Sequence, residues 1–125
     1  MKETQPLLKS FANAFVGIRS FFVTDRNGKI HIVITLIVLV AGLVFKITVI
    51  EWILILLCIA IVIALEMLNS ALEKLCDMVQ PGYHNVIKII KDVSAAAVLW
   101  AAIISVIIGL IIFIPKAIDL ITMAH

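Results

Sequence analysis

The sequence predicts an all-α integral membrane protein, with three transmembrane helices preceded by an amphipathic helix at the membrane surface. Two observations carry this. The 125 residues are 64% hydrophobic and only 14% charged, whereas a soluble domain is roughly half apolar and a quarter charged. A soluble chain of this size has too little interior to hide so much Leu, Ile and Val. The apolar residues also fall into three long runs separated by short polar breaks, which leaves no room for a separate soluble domain. A net charge of +2 without any Lys/Arg run gives no electrostatic footprint for nucleic acid.

The first element, residues 7–23 (the amphipathic part being LLKSFANAFVGIRSFF), sets Leu7, Phe11, Phe15, Ile18 and Phe22 on one stripe at three- and four-residue spacing. Lys9, Asn13, Gly17 and Ser20 fall on the other side. Such a helix either lies in the interface or packs on the protein's own core. Lys9 and Arg19 interrupt its apolar residues, unlike the unbroken core of a cleaved secretory signal. The stretch TDRNGKIH, 24–31, reads as a polar turn centred on Asn27 and Gly28.

The first span is expected over 30–47 and includes IVITLIVLVAGLVF. After the break KITVIEW, which carries Lys46 and Glu51, the second runs over 49–79, its last turns polar on one side. QPGYHN is a loop, because Pro-Gly breaks a helix. The third span with its lead-in is expected over 87–114, with Pro115 following it. Cys58 and Cys76 would stand about 27 Å apart along one helix, too far to bond, and read as packing residues. His31 and His84 read as ordinary interfacial or loop residues, and Trp52 as an outer-interface anchor. Basic residues set the orientation. Lys2, Lys9, Arg19, Arg26 and Lys29 precede the first span and Lys74, Lys88 and Lys91 lie between the second and third, against only Lys46 and Lys116 elsewhere. By the positive-inside rule the N-terminus and the 66–92 segment are cytoplasmic and the C-terminus is outside.

The informative segment is ALEMLNSALEKLCD, 64–77. On a helix, Glu66, Asn69, Ser70, Glu73 and Asp77 occupy an arc of about 100°, opposite Leu68, Leu72, Leu75 and Val79. Glu66 follows an uncharged run, 52–65, about 21 Å long, so it stands near the inner edge of a hydrocarbon layer roughly 30 Å thick. An ionised group there is disfavoured by a few kcal/mol and usually faces a bundle interior or marks function. A divalent cation with phosphate oxygens would relieve the repulsion along the stripe. The plain alternative is a helix emerging into water through a solvated, charged last few turns. Lys88, Lys91 and Asp92, at the start of the third span, add groups that can meet phosphate. Carboxylates, a metal and lysine are what phosphoryl transfer requires.

With IKDVSAAAV, this segment resembles the prokaryotic diacylglycerol kinase and undecaprenol kinase family, whose signature is E-x-x-N-[ST]-A-[IL]-E-x-x-x-D followed by K-D-x-x-A-x-A-V. Glu66, Asn69, Ser70, Ala71, Leu72, Glu73, Asp77, Lys91, Asp92, Ala95, Ala97 and Val98 match it. Upstream, GIRSFFVTDRNGKIH is similar to the family's G-[IL]-x-x-x-x-x-x-E-x-N-x-[RK]-x-H. The resemblance implies a homotrimeric helical bundle in the bacterial inner membrane, transferring the γ-phosphate of Mg-ATP to the primary hydroxyl of a membrane lipid, undecaprenol or diacylglycerol. It implies Glu66 as general base, Glu73 and Asp25 as Mg²⁺ ligands, and Asn69 and Ser70 as substrate- or phosphate-positioning groups. Lys9, Asn13, Gly17, Asp77, Lys91 and Asp92 would border ATP. The family usually has Glu where Asp25 stands, one methylene longer, and often Gly where Ala96 stands. Two other classes fit the size: a holin-like pore former and a small multidrug transporter. Neither uses the carboxylate stripe with a following Lys-Asp.

Overall fold

The computed structural model describes residues 6–125, and Lys2 lies outside them. The described chain forms four α-helices, α1 (Leu7–Thr24), α2 (Arg26–Val44), α3 (Val49–Val79) and α4 (Asn85–Met123). The last three are each long and apolar enough to cross a membrane, which makes the chain an all-α membrane protein with a helix ahead of three spans. Helix α1 packs on α2, α2 on α3, and α3 along α4.

The expected turn at 24–31 is instead a corner of a single residue, and α2 begins at Arg26 rather than near 30. Asp25 is extended (φ −84°, ψ 130°) and serves both helices. Its backbone N–H closes α1 on the Phe21 carbonyl, 3.3 Å, and its carboxylate accepts from the Asn27 backbone N–H, 2.9 Å, as the N-cap of α2. Asn27 and Gly28 therefore lie inside the first turn of a helix. The corner closes this tightly because Gly28 has no side chain: a Cβ there would stand 2.0 Å from the Phe21 carbonyl oxygen. The Asn-Gly pair reads as a turn because its capping residue is Asp25, two positions earlier.

Helix α2 ends at Val44, before the expected 47. Lys46 turns left-handed at φ 49°. The Ile47 N–H bonds the Gly42 carbonyl, 3.2 Å, and the Lys46 N–H bonds that of Leu43, 3.4 Å. These are the two bonds of a Schellman cap, with glycine's usual place held by lysine. A lysine there carries a steric penalty of about 1 kcal/mol, so Lys46→Gly should raise stability by up to that amount in a denaturant titration in micelles. Thr48 and Glu51 form a capping box at the start of α3, and Glu51 also meets Lys116 of α4 at 3.0 Å. Those two residues explain the polar break.

Near this end Ile47, Ile55 and Ile112 form the chain's own core, with Trp52 packed against it. A Cβ on Gly42 would come within 2.6 Å of the Trp52 ring, so Trp52 is a packing residue as well as an aromatic near the helix start. Helix α4 starts at Asn85, capped by the His84 ring, which accepts from the Val86 N–H at 3.1 Å. It continues through Pro115 to Met123, where the sequence suggested a stop at 114. One proline removes a single N–H donor, and the surrounding helix is long enough to carry that loss. Both cysteines are free.

Helix α1 buries only Phe21. Leu7, Phe11 and Phe15 of its apolar stripe are exposed, Phe15 by 69%. Of the two placements the pattern allowed, packing on the chain's own core is thus not the one adopted, and the stripe is available to an interface.

Candidate active site

The polar stripe of α3 turns inward at its upper end. Glu66 and Asn69 are each 5% exposed and Ser70 6%. Glu73 is half-buried, and Asp77 is exposed. A fully solvated face would show none of this burial. What covers the stripe is the α1–α2 corner.

Glu66 is held from α2. The Asn27 side-chain amide donates to its Oε1 at 2.7 Å, and His31 Nε2 stands 3.7 Å from its Oε2. Asn27 and His31 are one helical turn apart and so share a face. Sequence reasoning missed both as partners of Glu66, because a turn at 24–31 gives them no common face. The available signal was their match to the N-x-[RK]-x-H pattern.

One turn further along α3, the Ser70 hydroxyl faces the Asp25 carboxylate, and Lys74 Nζ lies 3.9 Å from Asp25 Oδ2. Burial works against ionisation of Asp25. The Ser70 hydroxyl, the Asn27 and Gly28 backbone N–H groups and Lys74 outweigh it and hold the carboxyl below the ordinary carboxylate range. The charged form is thus bound more tightly folded than unfolded. Its contribution is complete above an ordinary aspartate pKa of about 3.9 and is lost as pH falls through the lowered folded value. Melting in micelles between neutral pH and pH 3 should show acid destabilisation in this range. Asp25→Asn should be less stable at neutral pH and lose part of that acid dependence.

Further along, Lys91 of α4 pairs with Asp77, while Asp92 pairs with Lys88 at 2.6 Å within α4. The acid that orients Lys91 is therefore on α3, and the neighbouring Asp92 serves another lysine. Lys9, Asn13 and Gly17 lie on the exposed part of α1, away from the corner that contacts α3.

The donor set can be weighed against a magnesium ion. Among the described residues no three His, Cys, Asp or Glu side chains cluster for a metal, so a cation here would take a carboxylate pair at most. Mg²⁺ binds in that way, through one or two carboxylates with phosphate and water oxygens. Asp25 meets α3 at Ser70 and Lys74, the residues on either side of Glu73 in sequence. Between Glu66 and Glu73, the Asn69 Oδ1 is buried with no hydrogen-bond partner. An unpaired buried acceptor is disfavoured by about 1–3 kcal/mol, and a hard cation or a donor on a bound ligand would satisfy it. The residues fit the ion.

A family model described as prokaryotic diacylglycerol kinase matches residues 12–113. An undecaprenol kinase of Bacillus subtilis is 40% identical over 114 residues, covering 91% of this chain and 93% of its own length. A diacylglycerol kinase of a Synechocystis species is 38% identical over 115 residues, covering 91% of this chain and 66% of its own.

Proposed function

This chain belongs to the prokaryotic diacylglycerol kinase family and is a lipid kinase, and on that premise we propose that it transfers the γ-phosphate of ATP to the hydroxyl of a membrane lipid along the stripe between Glu66 and Asp77. The observation that carries this is the gradient of burial on one helix face. It runs from Glu66, 5% exposed at the hydrocarbon edge, to the exposed Asp77–Lys91 pair. A lipid hydroxyl and a water-borne nucleotide can meet only where such a gradient exists.

Glu66 acts as general base. With Asn27 donating to Oε1, Oε2 is the oxygen left to take the hydroxyl proton. The freed oxygen attacks the γ-phosphorus, the bond from that phosphorus to the β,γ-bridging oxygen breaks, and ADP departs with the electron pair. Glu73 and Asp25 would hold Mg²⁺, which would neutralise phosphate charge there. Asn69 and Ser70 position substrate near Glu66, Ser70 also fixing Asp25. Lys91 meets the phosphates as a point charge oriented by Asp77. Asp92, Lys9, Asn13 and Gly17 border the nucleotide. The N-terminus and this site face the cytoplasm of a bacterial inner membrane, and the C-terminus faces out. A homotrimer gives the exposed apolar surface of α3 and α4 a partner.

Purified protein in micelles, given Mg²⁺, mixed lipids and ATP labelled on its terminal phosphate, should place label in lipid. No labelled lipid would remove the proposal. Lys91→Met should raise the ATP KM by roughly ten- to a hundredfold, since a charge-assisted hydrogen bond is worth about 1.5–3 kcal/mol, with little change in lipid KM.

A further inference from the structure

Glu66 takes one proton from the acceptor hydroxyl in each turnover and has to lose it before the next. The overall transfer requires this, since an alcohol and ATP become a phosphate ester, ADP and one proton. The surroundings of Glu66 offer few exits. Asn27 occupies Oε1 through its amide N–H, and an amide side chain does not take up a proton near neutral pH. Asn69 and Ser70, buried on the same face, are likewise an amide and a hydroxyl. Oε2, the oxygen that receives the proton, instead faces Nε2 of His31 at 3.7 Å. Resting on the lipid-kinase function proposed above, we propose that His31 takes this proton from Glu66 at Nε2 and passes it to water, resetting the base for the next turnover.

Three observations support this role. The separation is about 0.8 Å longer than an N–H···O hydrogen bond, so His31 does not clamp the resting carboxylate, and Oε2 stays free for the hydroxyl. A small movement of the ring closes the gap once Glu66 is protonated. Second, an imidazole ordinarily holds a proton more tightly than a carboxylate and still releases it near neutral pH. Transfer from Glu66 is therefore downhill, and discharge to water follows. Third, His31 stands between the base and water. Its side chain is 19% exposed against 7% for that of Glu66, and it follows the exposed Arg26 and Lys29 at the start of α2. Its other side offers no competing route. There α2, α3 and α4 enclose an almost wholly apolar cavity, in which Cys58 is the other titratable group among the described residues. From α1, which packs on α2, Lys9 and Arg19 are both exposed. Nor is the pair part of a metal site, since among the described residues no three His, Cys, Asp or Glu side chains cluster. The steps balance. The hydroxyl proton moves to Oε2, then to Nε2 of the neutral ring, and the imidazolium gives a proton to water, leaving Glu66 a carboxylate and His31 neutral.

Two variants give the test. His31→Gln keeps a polar side chain of similar reach that cannot carry a proton, and His31→Ala leaves room for free imidazole. Purified full-length protein and both variants are assayed in micelles with Mg-ATP and whichever of undecaprenol and dioleoylglycerol the unaltered protein phosphorylates faster. The expected result is a kcat lowered about a hundredfold in both variants, with the KM for ATP and lipid and the melting temperature unchanged. Imidazole added at fixed pH should restore kcat of His31→Ala in proportion to its concentration and leave the unaltered protein as it was. His31→Gln combined with Glu66→Gln should be no slower than Glu66→Gln alone, because the relay acts only through the base. An unaltered kcat in His31→Gln overturns the proposal, and so does a loss in His31→Ala that imidazole does not restore. A further loss in the double variant overturns it as well, as do a raised KM and lowered melting temperature that account for the loss. Phosphorylation of neither lipid by the unaltered protein fails the lipid-kinase function itself, a distinguishable result.

Discussion

Replacing Glu66 by Gln should lower lipid phosphorylation by about 10²- to 10⁴-fold, the contribution of a positioned general base. Glutamine keeps the length of the side chain and an oxygen able to accept from Asn27, which donates to Oε1 at 2.7 Å. It removes only the capacity to take a proton. A buried carboxylate is also replaced by a neutral group of the same shape, so the fold should not suffer. The checks are turnover with saturating ATP and lipid, ATP affinity by equilibrium binding, and thermal melting in the same micelles. Loss of turnover with unchanged binding and melting is the expected pattern. Parallel loss of all three would assign Glu66 a structural role instead. Glu66→Asp, one methylene shorter, should draw the carboxylate away from Asn27 and recover only part of the rate.

Gly28→Val should be among the most destabilising single changes in the chain. Its Cβ would stand 2.0 Å from the Phe21 carbonyl oxygen and 2.7 Å from the carbonyl carbon. Both are backbone atoms, unable to swing aside as a side chain tip can. Overpacking in a well-packed site typically costs 1–3 kcal/mol and occasionally more, and a clash with backbone belongs at the top of that range, about 3 kcal/mol or above. The corner must open, and its contacts with α3 go with it: Asp25 with Ser70 and Lys74, and Asn27 with Glu66. Stability and catalysis should therefore fall together, both measurable on protein extracted in mild detergent. A Gly28→Val protein with wild-type melting and turnover would mean that the corner is not built as described. Gly17, on the exposed part of α1 with open space around it, should tolerate alanine without loss of stability and serves as the stability control.

Much of the fold was legible in the sequence. Apolar runs of spanning length specify three helices through composition alone, and the four-residue spacing of Leu7, Phe11 and Phe15 identifies an amphipathic helix that stays exposed. The ends of the helices were less legible. Asn27-Gly28 signals a turn locally, yet Asp25 caps a helix that begins one residue later. Gly28 is there for close approach to Phe21, not for a left-handed turn. Pro115 signals a stop, yet α4 continues to Met123, because one lost donor is small beside a long helix. In the same way Lys46 sits where a glycine would ordinarily mark the end of α2.

The α3 side of the site was legible for a different reason. Glu66, Asn69, Ser70 and Glu73 share one face by helical periodicity, and three of the four are buried. What covers them was not legible, because it depends on the angle at which α1 and α2 meet. That angle brings Asn27 and His31 to Glu66 and Asp25 to Ser70. Likewise, helix geometry puts Asp92 a turn away from Lys88 and gives Lys91 to Asp77 on the neighbouring helix. Side chains adjacent in sequence point in different directions on a helix.

The most direct measurement uses an acceptor alcohol carrying a photoreactive diazirine on the carbon beside its hydroxyl, irradiated in micelles with a non-hydrolysable ATP analogue and Mg²⁺ bound. Mass spectrometry then identifies the residue that captures the probe. The account predicts insertion at the mouth of the buried stripe, within residues 27–31 of α2 or 66–70 of α3, diminished by excess unmodified lipid. Insertion confined to α1 or to the Pro115 end of α4, with residues 66–70 unlabelled, would contradict it.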